Sequence, residues 1–231
     1  MKKILTTVLP FVVGLLLSSG AMAQYQLENL DRGLVAVRTS PKSVFLSWRI
    51  LLTDPNGLAF NLYRGKVKLN TNAISSISNW IDSSGVDADE YSVRAVLNGK
   101  EQKAYSTKVE AQNFIEIPLR IPTGGTTPDG KPYTYSASDC SVGDLDGDGR
   151  YEIVLKWDPS NSKDNSQKGY TGNVYLDAYR MDGKQLWRID LGKNIRAGAH
   201  YTQFMVFDFD GDGKAEIACK TADGTTDASG K

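Results

Sequence analysis

The sequence predicts an all-β protein, with a β-sandwich in its first half and the first blades of a β-propeller in its second half. Two observations in the first half support this class: short stretches of alternating apolar and polar residues without a helical period, and the hairpin dipeptide Asn98-Gly99. The third observation is an acidic motif in the second half that occurs twice, with starts 64 residues apart, at Asp144 and Asp208. An apolar, strand-like run follows each copy, which indicates a repeated unit of antiparallel strands.

Residues 1–23 have the pattern of a secretory signal peptide. Two lysines form a charged start, residues 4–17 form an apolar stretch, and Ala21-Met22-Ala23 is a small-residue cleavage site before Gln24. A membrane anchor is the alternative, but the apolar stretch is short for a transmembrane helix and ends in Ser18-Ser19-Gly20. The pattern therefore predicts export, to the periplasm or the medium.

The charge balance argues against nucleic acid or an anionic membrane surface as a partner. The sequence has 27 basic and 27 acidic residues, and loss of Lys2 and Lys3 with the signal peptide leaves 25 against 27, a net charge of −2. The two cysteines, Cys140 and Cys219, could form a disulfide in an exported protein, but two buried free thiols fit their apolar surroundings at least as well. We expect a monomer that does not span a membrane.

Residues 24–115 are predicted to form the sandwich. The clearest alternating stretches are residues 43–50, 59–64 and 90–96. Short strands at this spacing are typical of two packed antiparallel sheets. The placement of Trp48, Tyr63 and Tyr91 on these strands resembles a fibronectin type III module, and such modules are usually spacers or packing partners. Residues 116–135 contain prolines and a glycine-rich loop, which predicts a linker.

The repeated motif has the frame D-x-D-G-D-G-x-x-E-I, in which carboxylates occupy loop positions 1, 3, 5 and 9. The carboxylates of the first acidic loop (residues 144–152) are Asp144, Asp146, Asp148 and Glu152, and those of the second acidic loop (residues 208–216) are Asp208, Asp210, Asp212 and Glu216. Carboxylates at this spacing suit a hard cation that prefers oxygen ligands, with a backbone carbonyl at position 7 from Arg150 or Lys214 as a further ligand. The motif therefore predicts calcium in both loops.

The acidic loops differ from an EF-hand, which needs a bidentate Glu at position 12. The sequence has Leu155 and Cys219 there. An acidic surface turn is the plain alternative, because Asp-Gly pairs are common in turns, but the repetition argues against it. Residues 136–231 are thus predicted to begin a propeller whose second unit starts near Tyr201. Because a propeller needs about four blades or more to close, we expect an N-terminal portion of a longer protein.

Four strings in this half resemble one family. They are residues 139–149, residues 156–166 (KWDPSNSKDNS), residues 172–179 and residues 196–205 (RAGAHYTQFM). Through them the chain resembles the N-terminal portion of secreted rhamnogalacturonan lyases of polysaccharide lyase family 11, which are built on an eight-bladed, calcium-rich propeller. The resemblance implies cleavage of the rhamnose–galacturonic acid backbone of the pectic polysaccharide rhamnogalacturonan I by calcium-assisted β-elimination.

The loop from Asp158 to Asn165 is the best candidate for the substrate cleft, because its carboxylates and amides could bond sugar hydroxyls or hold another calcium ion. The resemblance strengthens this assignment for Asp158. The candidate contacts are Asp158, Asn161, Asp164, Asn165 and His200. A solvated loop with self-capping turns is the alternative for the first four, and a packed core residue is the alternative for a lone histidine. Arg188 and Arg196 could pair with uronate carboxylates, although strand arginines often have no specific role. The sequence identifies no catalytic base, so we expect this portion alone to be inactive.

Two other functions stay open on the sequence. One is a non-catalytic propeller, braced by calcium, that binds carbohydrate or mediates adhesion. The other is a glycoside hydrolase on the same scaffold, whose products would have saturated ends.

Overall fold

A computed structural model describes residues 28–86, 90–198 and 201–231. The predicted signal peptide and His200 lie outside the described residues. The described part forms fifteen β-strands and no α-helix, so the all-β class is confirmed. Accordingly, no helix within this part is long and apolar enough to cross a membrane.

The first half is a sandwich of two antiparallel sheets. Its strands are β1 (Val35–Ser40), β2 (Ser43–Ser47), β3 (Ala59–Arg64), β4 (Val67–Lys68), β5 (Asn79–Asp82), β6 (Glu90–Leu97) and β7 (Lys100–Lys108). One sheet has the order β1-β2-β5 and the other has the order β4-β3-β6-β7. Inward side chains of both sheets, such as Leu46 and Leu62, are fully buried between them. Trp48 is buried against Phe60, with ring centroids 5.6 Å apart, so it contributes to the core.

The predicted hairpin at Asn98-Gly99 connects β6 to β7. Both residues have positive φ, 51° for Asn98 and 75° for Gly99, as a type I′ turn requires. Leu97 and Lys100 face each other across the turn, which fixes the register of the two strands.

The second half contains a four-stranded antiparallel sheet and a following hairpin. Its strands are β8 (Gly125–Thr126), β9 (Pro132–Tyr133), β10 (Tyr135–Gly143), β11 (Glu152–Pro159), β12 (Tyr175–Tyr179), β13 (Gln185–Asp190), β14 (Phe204–Phe207) and β15 (Glu216–Cys219). The order β10-β11-β12-β13 follows the chain, so each strand pairs with the next, as expected for one blade. The first acidic loop joins β10 to β11, and the second joins β14 to β15.

The two faces of this sheet have separate apolar clusters. One face packs Leu176 and Ile189 against Phe204 and Ile217 of the β14–β15 hairpin, so consecutive units stack on each other. The other face buries Trp157 within an aromatic cluster. Between these clusters, alternate side chains of β11 point to opposite faces, as a strand period of two requires.

Both cysteines are free thiols. Cys219 is half-buried, but Cys140 is exposed, so the expectation of two buried thiols is wrong for Cys140. Its strand, β10, lies at the edge of the four-stranded sheet, and the pairing register shifts between Ala137 and Cys140. This irregular edge leaves the thiol at the surface.

Candidate metal loops and substrate segment

The first acidic loop is folded by hydrogen bonds between its own carboxylates and backbone. The fully buried carboxylate of Asp144 accepts from the N–H groups of Gly147 at 2.8 Å, Asp148 at 3.0 Å and Gly149 at 2.8 Å. Glu152 accepts from the N–H of Leu145 at 2.9 Å. Gly149 has a φ of 88°, a conformation that favours glycine. The motif thus needs both its first acid and its sixth-position glycine to close the turn.

The second acidic loop repeats this arrangement. Asp208 accepts from the N–H groups of Gly211 at 2.6 Å and Gly213 at 3.0 Å, and Glu216 accepts from Phe209 at 2.9 Å. The equivalent bonds run between equivalent motif positions, so the sequence repeat is also a structural repeat.

Both loops gather carboxylate oxygens at a spacing that fits a metal ion. Ligand atoms of three acids lie within 4.8 Å of one another in each loop; the groups are Asp144, Asp146 and Glu152, and Asp208, Asp210 and Glu216. Burial, followed by the charges of the neighbouring acids, raises the pKa of Glu152 above its ordinary value. A divalent cation bound there would compensate the gathered negative charge, and oxygen ligands of this kind suit calcium.

Asp148 and Asp212 lie outside these two groups. The carboxylate of Asp148 pairs with Arg150 at 2.7 Å, and the hydrogen bond from this arginine lowers the pKa of Asp148 despite its partial burial. Asp212 accepts from the N–H of Lys214 at 2.9 Å. The carbonyl ligands predicted at Arg150 and Lys214 stay predictions.

The surroundings of the two loops differ in charge. In the first loop, Arg180 forms a close ion pair with Asp146, in addition to the pair between Arg150 and Asp148. In the second loop, the carboxylates make no ion pair with any described residue.

The first loop also contacts the sandwich half. Glu28 accepts a hydrogen bond from the N–H of Asp144 at 2.6 Å, and the N–H of Asp31 donates to the carbonyl of Gly149 at 2.7 Å. Nearby, the guanidinium of Arg49 lies 4.5 Å from the ring centroid of Tyr151. The first loop therefore lies where the two halves of the chain meet.

The candidate substrate segment follows strand β11, and two of its residues have buried polar atoms without a partner in the described structure. These atoms are Oδ1 of Asp158 and Nδ2 of Asn161. The other amide atom of Asn161 accepts from the N–H of Gly172 at 2.8 Å, which holds the side chain in place. Because leaving a buried polar atom unpaired is costly, these two residues mark a place where a polar ligand would be accommodated.

Asp164 and Asn165 have a different role from Asp158 and Asn161. The hydroxyl of Tyr201 donates to Asp164 at 3.1 Å and accepts from the N–H of Asn165 at 3.1 Å. Asp164 also accepts from the N–H of Ser166 at 2.9 Å. These contacts hold the loop together through the carboxylate of Asp164 and the backbone N–H of Asn165.

Both candidate arginines are engaged by internal partners. Arg188 donates from Nε and Nη2 to the fully buried Asp177, at 2.6 Å in each case, and this contact raises the pKa of Arg188. Arg196 donates to the backbone carbonyls of the loop between Lys163 and Gly169. Both guanidinium groups are therefore already engaged within the chain, and no sequence pattern indicated Asp177 as the partner of Arg188, 11 residues away.

Two family models match this chain. The model described as "Rhamnogalacturonan lyase family 11, C-terminal domain" matches residues 114–231, and "Rhamnogalacturonan I lyases beta-sheet domain" matches residues 25–111.

Two curated relatives come from Bacillus subtilis (strain 168). Rhamnogalacturonan endolyase YesW is 60% identical over 210 residues, and rhamnogalacturonan exolyase YesX is 59% identical over 206 residues. These alignments cover 90% and 89% of this chain but 34% of each relative, so the chain spans about a third of their length.

Solved structures agree with these matches. The crystal structure of YesW has a TM-score of 0.84 at 60% identity, covering 89% of this chain and 35% of that one. The crystal structure of YesX has a TM-score of 0.85 at 59% identity, covering 89% of this chain and 34% of that one. The structure of a Bacillus licheniformis rhamnogalacturonan lyase has a TM-score of 0.83 at 62% identity, covering 89% of this chain and 35% of that one.

Proposed function

Because the chain belongs to rhamnogalacturonan lyase family 11, we propose that it is the N-terminal portion of an enzyme that cleaves the rhamnose–galacturonic acid backbone of rhamnogalacturonan by β-elimination. The match of the family model to residues 114–231 carries this proposal, since that region holds both acidic loops and the substrate segment. The unpaired atoms of Asp158 and Asn161 support a polar ligand at that segment.

The substrate segment would act by binding and orienting the polysaccharide. In β-elimination a base takes the proton from C5 of galacturonate, and negative charge builds on the adjacent carboxylate. The C4–O bond then breaks, the oxygen leaves with rhamnose and takes up a proton, and a C4=C5 double bond remains in the unsaturated uronate end. Calcium bound at that carboxylate would supply Lewis-acid stabilisation. Asp158 can accept hydrogen bonds from sugar hydroxyls, and Asn161 can donate one from Nδ2. We find no candidate for the base among the described residues, and we expect this chain alone to be inactive.

We assign the acidic loops to bracing rather than to catalysis. Their innermost carboxylates, Asp144 and Asp208, are directed to the N–H groups of their own turns, which leaves few coordination positions for a sugar. The first loop also contacts Glu28 and Asp31 of the sandwich half. In a propeller begun by the β10–β13 sheet, calcium at these loops would fix where each unit starts.

We propose that the protein is exported from the cell with residues 1–23 removed. Mass spectrometry of the extracellular or periplasmic protein should find Gln24 at its N-terminus. A product that retains Met1 and stays in the cytoplasm would contradict export.

The test of the reaction is product formation from rhamnogalacturonan by the lyase that contains this chain. The unsaturated uronate absorbs in the ultraviolet, so absorbance should rise with time, and Asp158→Ala should reduce the rate strongly. Lys184→Ala, at an exposed turn between β12 and β13, is the matched control and should leave the rate unchanged.

Other outcomes of this assay identify the alternatives. Cleavage to saturated ends without absorbance would indicate a hydrolase, and binding without cleavage would indicate a non-catalytic propeller. The relatives named endolyase and exolyase are 60% and 59% identical, so identity does not choose between the two modes of action. The length of the early products would distinguish endolytic from exolytic cleavage, since an endolyase releases long fragments early.

A further inference from the structure

We infer that a cleft beside the substrate segment is a second sugar subsite, which takes a uronate residue of the polysaccharide and holds its carboxylate on Lys193. The inference rests on the proposed function for the nature of the polysaccharide. The cleft has a volume of about 390 Å³, within the range of small-molecule sites. The lining of the cleft includes Tyr133, Tyr170, Asn173, Lys193, Asn194 and Arg196.

The cleft is continuous with the substrate segment. Gly172, between the lining residues Thr171 and Asn173, donates its N–H to Asn161 at 2.8 Å. A Cβ at Gly172 would lie 2.5 Å from the ring of Tyr133 and 2.9 Å from Pro159, so the wall packs directly on the residue after Asp158. A sugar chain that contacts Asp158 and Asn161 can therefore extend along this wall into the cleft.

The charge of the cleft favours an acidic sugar. Its lining includes the cations Lys193 and Arg196 and no carboxylate. Arg196 is already engaged, because it donates to the carbonyls of Lys163, Asp164 and Gly169 and so holds one wall in shape. Lys193 is exposed and forms no ion pair with any residue that the structure describes. A carboxylate entering the cleft would therefore find one available ammonium group in the lining, while the nearby carboxylate of Asp190 is held by hydrogen bonds from Asn173 and Gly192.

The remaining walls are held in place and partly aromatic. The ring of Tyr133 packs edge-on against Tyr135, with centroids 5.7 Å apart, and this contact fixes its orientation. Tyr170 is 55% exposed and offers a second ring. Asn173 donates to Asp190 at 3.0 Å, which also immobilises that wall. Flat aromatic surfaces with a few fixed polar groups are typical of small-ligand sites, and the apolar face of a sugar ring fits such a surface.

The test compares two ligands on the wild-type chain and three variants by isothermal titration calorimetry. The ligands are rhamnogalacturonan oligosaccharides and the same oligosaccharides with their carboxyl groups reduced to alcohols. Lys193→Ala should weaken binding of the acidic ligand about tenfold, the effect of losing one charge-assisted hydrogen bond. Lys168→Ala, at an exposed lysine outside the lining of the cleft, should leave binding unchanged. Lys193→Arg should keep most of the affinity, and the reduced ligand should bind weakly to all four proteins.

The inference is overturned if the wild-type chain binds neither ligand, if both alanine variants behave alike, or if reduced and acidic oligosaccharides bind equally. Failure of the proposed function would look different. If the lyase forms no unsaturated product while binding still depends on Lys193, the subsite stands and the lyase reaction does not. If product forms normally and Lys193→Ala leaves the affinity for the acidic oligosaccharides unchanged, the proposed subsite is wrong and the proposed reaction is supported.

Discussion

The two acidic loops share one sequence frame and one pattern of backbone hydrogen bonds, yet they differ in the charges around them. In the first loop, Arg180 and Arg150 pair with two of the carboxylates, whereas the second loop makes no ion pair with the described residues. The first loop is also more buried: Glu152 is 2% exposed, whereas its counterpart Glu216 is half-buried. The motif therefore determines the turn, and residues elsewhere in the chain determine the charge balance.

This difference leads to an expectation about calcium. An ion entering the first loop competes with Arg180 for Asp146, whereas an ion entering the second loop meets carboxylates that pair with no cation among the described residues. We therefore expect the second loop to bind calcium more tightly. Matched substitutions in the two loops test this expected difference.

The largest effect is expected from removing the first acid of each loop. Asp144→Ala removes the acceptor of three N–H groups, of which that of Gly149 is buried and that of Asp148 keeps a bond to Asp146, whereas Asp208→Ala removes the acceptor of two part-buried N–H groups. We expect losses of about 3 and about 2 kcal/mol in the free energy of unfolding, since each unsatisfied group carries a desolvation penalty. Urea denaturation with a chelator present measures both losses in the absence of bound metal. Equal losses, or a larger loss for Asp208→Ala, would show that the two turns are not held as described.

The next effect comes from the sixth-position glycines. Gly149 and Gly213 have φ values of 88° and 91°, so alanine should cost about 1 kcal/mol at either position through backbone strain. A Cβ at Gly149 would also lie 3.0 Å from the backbone nitrogen of Asp31, whereas one at Gly213 would meet nothing closer than 3.8 Å. Gly149→Ala should therefore cost about 1 kcal/mol more than Gly213→Ala in the same denaturation experiment. A difference of the opposite sign would refute the contact with the sandwich half.

A smaller effect should follow from removing the competing arginine. Arg180→Gln frees Asp146 and should raise the calcium affinity of the first loop several-fold, while the second loop is unchanged. Calorimetric titration of calcium in an Asp210→Asn background, which weakens the second loop, isolates the first. Lys184→Gln, a nearby exposed charge, serves as the control for a general electrostatic effect. An unchanged affinity in the arginine variant would mean that Arg180 does not compete with the ion.

The smallest effect concerns pH. Burial and neighbouring acids hold the pKa of Glu152 above its ordinary value of 4.5. A raised folded pKa means that the contribution of Glu152 to stability is fully present below pH 4.5 and is lost as the pH rises through the folded pKa. With a chelator present, Glu152→Gln should therefore make the free energy of unfolding less dependent on pH above 4.5. Urea denaturation at several pH values measures this, and an identical pH dependence in the variant would contradict the account.

Local chemistry explains what the sequence predicted well. The turn at Asn98-Gly99 and the two acidic loops depend on residues that are adjacent in the chain, and the structure has them as expected. The ion pair between Arg180 and Asp146 joins residues 34 positions apart, so no local pattern reveals it.

The substrate region shows the same limit. Asp158 and Asn161 were predicted from a family string, but the internal partners of Arg188 and Arg196 depend on tertiary packing. The cleft at Lys193 combines three separate segments, and no local sequence pattern indicates that they meet. Exposure of Cys140 was missed because its strand is irregular at the edge of the sheet.

We propose that one repeated frame makes two calcium sites of unequal affinity. Calorimetry and native mass spectrometry of the wild-type chain should find two ions, with the second loop filled at the lower calcium concentration. Asp210→Asn should abolish the tighter site, and Asp146→Asn should abolish the weaker one. A chain that binds no calcium, or that binds two ions with equal affinity at both loops, would contradict the account.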